Sequence, residues 1–161
     1  MESLLVALDK SPEALKSIHY IVRLLAPAQE IQFILFHVLP TTSPDMLKKE
    51  EMQRIEGLHS EHPHLSGYFW RREEQERMEK TFHEAKHLLL EAGFSESRIR
   101  THFAVDFTDV AQIIVNEARR LECATIVLGR RGVGRVKEFL LGSVSSSTTR
   151  IGRGLTVWVV D

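Results

Sequence analysis

The sequence predicts an α/β fold: an open, mostly parallel five-stranded sheet with helices on both faces. Three observations predict it. Short apolar runs alternate with stretches of helical period along most of the 161 residues. Two of those runs, Leu4 to Leu8 and Ala124 to Leu128, are continuous rather than alternating, as suits strands buried on both faces. The second of them ends in glycines and leads toward a helix start, a connection built to hold an anion.

Taken in order, Leu4 to Leu8 is the first strand. Ser11-Pro12 then reads as an N-cap followed by proline at the first helical position. Ala14, Leu15, Ile18, Ile21, Val22 and Leu25 repeat at helical spacing behind it. Ile31 to Leu39 is the second strand, closed by Pro40. Residues 41–67 read as a variable insertion, with a short helix from Ser43-Pro44 through Ile55 and a loop from Gly57 to Gly67. A long helix from about Tyr68 to Ala92 is ended by Gly93. Ile99 to Val105 is the third strand. Thr108 or Asp109 caps a helix carrying Val110, Ile113, Ile114, Ala118 and Leu121. The fourth strand and its glycines follow, then a short helix from Ser143 to Ile151 and a last strand from Leu155 to Val160.

Composition bounds the function. A hydrophobic fraction of 43% with 27% charged residues fits one globular domain spanning residues 1–161. A net charge of −1 gives no basic field for nucleic acid. No secretory signal or membrane-length apolar run is visible, so a cytoplasmic protein is expected. The single Cys123 sits in an apolar run and reads as a core residue.

The glycine stretch carries the chemistry. Gly129, Gly132, Gly142 and Ser143 fall in the pattern G-x2-G-x9-G-S, and Arg130, Arg131, Arg135 and Lys137 lie within it. Glycines let a backbone approach a phosphate closely, and the N–H groups at a helix start point toward its charge. It is not a P-loop, for no Gly-Lys-Ser/Thr occurs. It is not a dinucleotide fingerprint either, since Gly132-Val133-Gly134 lacks the third glycine and follows the fourth strand.

This spacing resembles the nucleotide-binding signature of the universal stress protein family, and the resemblance covers nearly the whole chain. Leu4 to Ser11 is similar to that family's first strand and its terminal aspartate, Phe36 to Leu39 to its second strand, and Leu155 to Val160 to its closing strand. The resemblance implies an adenine nucleotide alpha hydrolase-like fold, a three-layer sandwich with strand order 3-2-1-4-5. It implies ATP, with Mg2+, at the point where that order reverses. Adenine and ribose would lie near Ala7, Leu8, Asp9 and Val38. Phosphates would lie on the N–H groups of Gly129, Arg131, Gly132, Gly142, Ser143 and Val144, with Leu128 also in the nucleotide site. It implies stress-response signalling and a homodimer joined through the last strand. No residue offers a clear general base, so at most slow hydrolysis or autophosphorylation is expected. Lys10, Arg130 and the lack of a proline before the last strand depart from the family pattern. They leave room for a dimeric interaction module of the same fold that binds no nucleotide.

Other candidates are weaker. Asp9 also reads as a turn residue before Ser11-Pro12, and Val38 as plain strand packing. His83-Glu84-Ala85-Lys86-His87 matches the HExxH zinc-protease motif. The apolar stripe of its helix is Met78, Phe82, Ala85, Leu89 and Ala92. At about 100° per residue, both histidines turn to solvent, away from any shaped pocket. His59, His62 and His64 read as a hydrophilic surface loop. A phospho-acceptor receiver domain, with Asp106 as acceptor, lacks the acidic pair after the first strand and the lysine ending the last.

Overall fold

The structure, a computed structural model, describes residues 2–26, 30–106, 109–130 and 141–161. Its elements are β1 (Ser3–Ala7), α1 (Lys16–Leu25), β2 (Gln32–Pro40), α2 (Lys49–Glu61), α3 (Arg72–Glu91), β3 (Ile99–Asp106), α4 (Val110–Arg120), β4 (Thr125–Gly129), α5 (Ser143–Ile151) and β5 (Thr156–Val160). All strand pairs are parallel and the order is β3-β2-β1-β4-β5, the expected 3-2-1-4-5.

The continuous apolar strands split their side chains between two cores. Leu4, Val6, Phe33, Leu35 and Val127 pack with Ile18 and Ile21 of α1 and with Met78, Phe82, Ala85 and Leu89 of α3. Leu5, Ile34, Phe36, Ile126 and Leu128 pack on the other face with Ile113, Ile114 and Ala118 of α4. The α3 stripe is the one its sequence spacing predicts, and Gly93, at φ 92°, ends that helix in the left-handed region. Cys123 is buried, and burial pushes its thiol up to about 11, so it is a packing residue rather than a nucleophile.

Three helices differ from expectation in their bounds, one of them α3, which starts at Arg72 rather than about Tyr68. Ser11 does not cap α1: the Asp9 carboxylate accepts from both the Ser11 N–H, at 3.1 Å, and its hydroxyl, at 2.5 Å. The hydroxyl is thereby occupied, residues 11–15 make tight turns, and the α-helix proper starts at Lys16. In the insertion, the predicted helix through Ile55 continues to Glu61, across Gly57. Short 3-10 turns at Pro44–Met46 and Pro63–Leu65 flank it. The reason is a third core that composition alone conceals: Ile55, Leu65 and Trp70 bury against Leu39 and Val105, at the carboxyl ends of β2 and β3.

Candidate functional site

β1 is where the strand order turns back. The chain passes from β1 to β2 on one side and later from β3, through α4, to β4 on the other, so a crevice opens beyond the carboxyl ends of β1 and β4. The register sets the levels. Ala7 pairs with Phe36 of β2 and with Leu128 of β4, so Leu8 and Asp9, Val38, and Gly129 with Arg130 all follow that level. The side chains of Leu8, Val38 and Leu128 are buried in the two cores. Asp9 keeps one carboxyl oxygen on the Ser11 turn, and its side chain is half-buried at the crevice.

The two ends of the glycine pattern meet here. Gly142 donates its N–H to the Arg130 carbonyl at 2.8 Å. Ser145 Oγ donates to the Gly129 carbonyl at 2.6 Å and reaches that of Arg130 at 3.2 Å. These bonds dock the first turn of α5 on the end of β4. Gly142 is the N-cap and offers no side chain, so the leading N–H groups at Ser143 and Val144 are those a helix start leaves unpaired. Half a positive charge gathers at such an end. Arg131 and Gly132, and with them Arg135 and Lys137, lie outside the described residues. Arg130 turns back along the sheet edge, its Nε 2.7 Å from the Asp161 carboxylate.

Two residues at the crevice escape a reading by motif. His37, 8% exposed, donates from Nδ1 to the Leu8 carbonyl at 2.8 Å. A carbonyl only accepts, so Nδ1 carries the proton and Nε2 of the neutral ring is an acceptor. That nitrogen lies 3.4 Å from the carboxylate of Glu74, in the first turn of α3. Burial lowers the pKa of His37 below its ordinary value, against the pull of the Leu8 carbonyl and Glu74. The other Glu74 oxygen binds Lys10 Nζ at 3.2 Å. Lys10 therefore bridges the β1–α1 turn to α3. Tertiary contact over 64 residues makes this bridge, which local spacing does not encode.

The HExxH residues behave differently from each other. His87 is exposed and lies 3.3 Å from Glu91, one turn on. His83 is exposed too, yet it lines a cavity of about 420 Å³ between α2, α3 and β3, which corrects the expectation that it stands clear of any pocket. His62 and His64 line the same cavity, and His59 holds the Tyr68 carbonyl at 2.8 Å, so this segment is structured rather than a hydrophilic loop. Among the described residues no group of three or more His, Cys, Asp or Glu is placed to hold a metal ion.

The family model described as "Universal stress protein family" matches residues 1–151. Solved structures agree in fold. The universal stress protein UspA from Lactobacillus plantarum superposes with a TM-score of 0.68 at 16% identity, covering 99% of this chain and 97% of its own. The Archaeoglobus fulgidus universal stress protein in complex with dAMP gives 0.62 at 16% identity, covering 100% and 98%. A universal stress protein family member from Arabidopsis thaliana with AMP bound gives 0.63 at 12% identity, covering 99% and 91%. No curated protein sequence matches the chain.

Proposed function

The chain belongs to the universal stress protein family, and from that premise we propose that it binds ATP in the crevice beyond β1 and works as a cytoplasmic stress-response signalling protein. The observation that carries this reading is the docking of the α5 start on the end of β4, beside Asp9. It supports an anion held by the main chain of Gly129, Gly142, Ser143 and Val144, with Arg131 and Gly132 completing the cradle. Asp9 accepts from a ribose hydroxyl or the adenine amino group. The adenine nucleotides in the Archaeoglobus and Arabidopsis relatives support the base. Mg2+ fits as a cation carried on the phosphates and water, with Asp9 at hand, for this ion needs only one or two carboxylates. When bound, it would screen the phosphate charge.

Calorimetry tests the reading. ATP is expected to bind with micromolar affinity and GTP far more weakly. Gly132→Val and Gly142→Val are expected to abolish binding, because a β-branched side chain blocks the approach to phosphate. Asp9→Ala is expected to weaken it. No heat with ATP, or wild-type binding in all three variants, refutes the assignment.

A second reading, an interaction module without nucleotide, draws on the Lys10–Glu74 bridge across the mouth and on the Arg130–Asp161 pair. Mass spectrometry of small molecules released from the denatured protein separates the two. Either reading includes a homodimer through β5, the half-exposed edge strand.

A further inference from the structure

The insertion adds a wall to the domain. α2 and the Pro63–Leu65 turn face α3 across the outer edge of β3 and enclose the cavity of about 420 Å³. Small-molecule pockets run from about 300 to 1,000 Å³ and combine an apolar lining with a few convergent polar groups. Leu39, Leu58, Leu65, Trp70, Phe82 and Phe103 form the apolar part. The Phe82 and Phe103 rings lie 5.0 Å apart. None of the residues assigned to the nucleotide lines it.

The polar groups sort into those that hold the wall and those left over. Gln75 accepts from Trp70 Nε1 at 2.7 Å and donates to one oxygen of Glu79 at 2.7 Å, so the indole is occupied and Glu79 is held in place. His64 Nε2 binds the Phe103 carbonyl at 3.2 Å, and its ring stacks on His102 at 4.9 Å. His102 Nε2 is 2.8 Å from Glu117. The imidazole rings of His62 and His83 make no hydrogen bond among the described residues, and the His62 ring lies edge-on to that of His64 at 5.8 Å. Lys86 reaches Glu96 at 2.7 Å in an ion pair whose carboxylate is 72% exposed. Such pairs exchange partners at little cost.

We infer that this cavity is a second ligand site, for a small amphiphilic carboxylate. Its alkyl or aryl body lies on Trp70, Phe82 and Phe103, and its carboxylate meets the imidazoles of His62 and His83 and the Lys86 ammonium. Each imidazole supplies at least one N–H donor whatever its tautomer. Lys86 offsets the charge of Glu79, the one carboxylate in the lining, and the remaining imidazole N–H donors serve an anion rather than an organic cation. The inference is independent of the nucleotide reading, since the two sites share no residue.

The test is a fluorescence titration of the full chain carrying Trp158→Phe, which leaves Trp70 as the sole tryptophan of the two in the sequence. The probe is octanoate, compared with octanol and octyltrimethylammonium. A saturable change in Trp70 emission is expected with octanoate. Octanol should bind about tenfold more weakly, the value of one hydrogen bond to a charged group, and the cation should give no response. Thr101→Phe, at the exposed rim on β3, fills the mouth with a residue that strands favour. It should remove the response without lowering the melting temperature. His83→Ala should bring octanoate close to octanol. Saturating ATP should leave the octanoate curve unmoved. Absence of a saturable change, equal binding of octanoate and octanol, a response surviving Thr101→Phe, or displacement by ATP would each overturn the inference.

Discussion

Glu74 sits between the Lys10 ammonium and the neutral His37 ring at the mouth of the crevice, and its charge opposes any phosphate that enters there. Glu74→Gln removes that charge and releases Lys10. ATP affinity is expected to rise up to about fivefold, the upper value of a partly exposed ion pair; unchanged affinity by calorimetry would place the phosphates away from Lys10. His37 gives a pH signature. Its folded pKa is lowered below the ordinary 6.5 by burial, so the unfolded chain takes up a proton first as pH falls. Its stabilising contribution is complete above pH 6.5 and is lost as pH drops through 6.5 toward the folded value. His64, also lowered by burial, acts in the same direction. Glu117 stabilises the fold above pH 4.5, and its contribution is lost only as pH falls from there toward 2. Burial raises its pKa, but hydrogen bonds from His102 and Arg120 outweigh that and hold it at about 2. Urea denaturation at pH 7.5 and 5.5 should show lower stability at the acid end. His37→Asn keeps a donor where Nδ1 stood and should flatten part of that slope. At this scale, the turn at Asp9 and the step from the end of β4 to the start of α5 were legible because they rest on local spacing. His37 and Glu74 were not, because each gains its role from a partner on another element.

Helix ends show the same division. Asp109 caps α4 as its position suggests, accepting from the N–H groups of Ala111 at 2.8 Å and Gln112 at 3.2 Å. Asp109→Ala is expected to cost about 1 kcal/mol, read as a lower urea midpoint at unchanged slope. Ser11 reads as an equally good cap, yet a neighbouring aspartate claims its hydroxyl. α2 was half legible. Its composition is polar, and its one fully buried side chain, Ile55, carries the packing. The Glu51 carboxylate returns to the Lys48 N–H at 3.0 Å and sets its start. Ile55→Ala is expected to cost about 3 kcal/mol, within the range for large-to-small core changes. Hydrogen exchange should then show α2 opening before the sheet does; equal protection would mean that the insertion is not a separate unit. Gly152, behind α5, tolerates nothing larger. A Cβ there would stand 2.8 Å from the Thr148 carbonyl oxygen and 3.2 Å from Val157, so the α5–β5 turn depends on it.

For the molecule as a whole, the alternation of strands and helices was plain in the sequence, and the strand order followed from the family resemblance. Periodicity does not encode order, which depends on which loops cross which face. The cavity beside β3 was not legible, because its lining comes from segments far apart in the chain. Association belongs to this scale too. β5 is an edge strand with one exposed and four half-buried residues, and Trp158 already lies edge-on to Tyr20 at 6.2 Å between ring centroids. Such an edge presents unpaired main-chain groups and calls for a partner. Light scattering is expected to give a dimer. Val157→Pro, which removes a ladder donor, should shift it to monomer; a monomeric parent protein at high micromolar concentration would refute this.

The far side of the sheet closes the account of how such an assembly can grow. His64 occupies the Phe103 carbonyl on the outer strand, and the Pro63–Leu65 turn lies against it. A chain with two open flanks could add copies without end, as fibrils do. Here the chain's own insertion takes a carbonyl of one flank, so a dimer formed through β5 would present a blunted outer strand to any third copy.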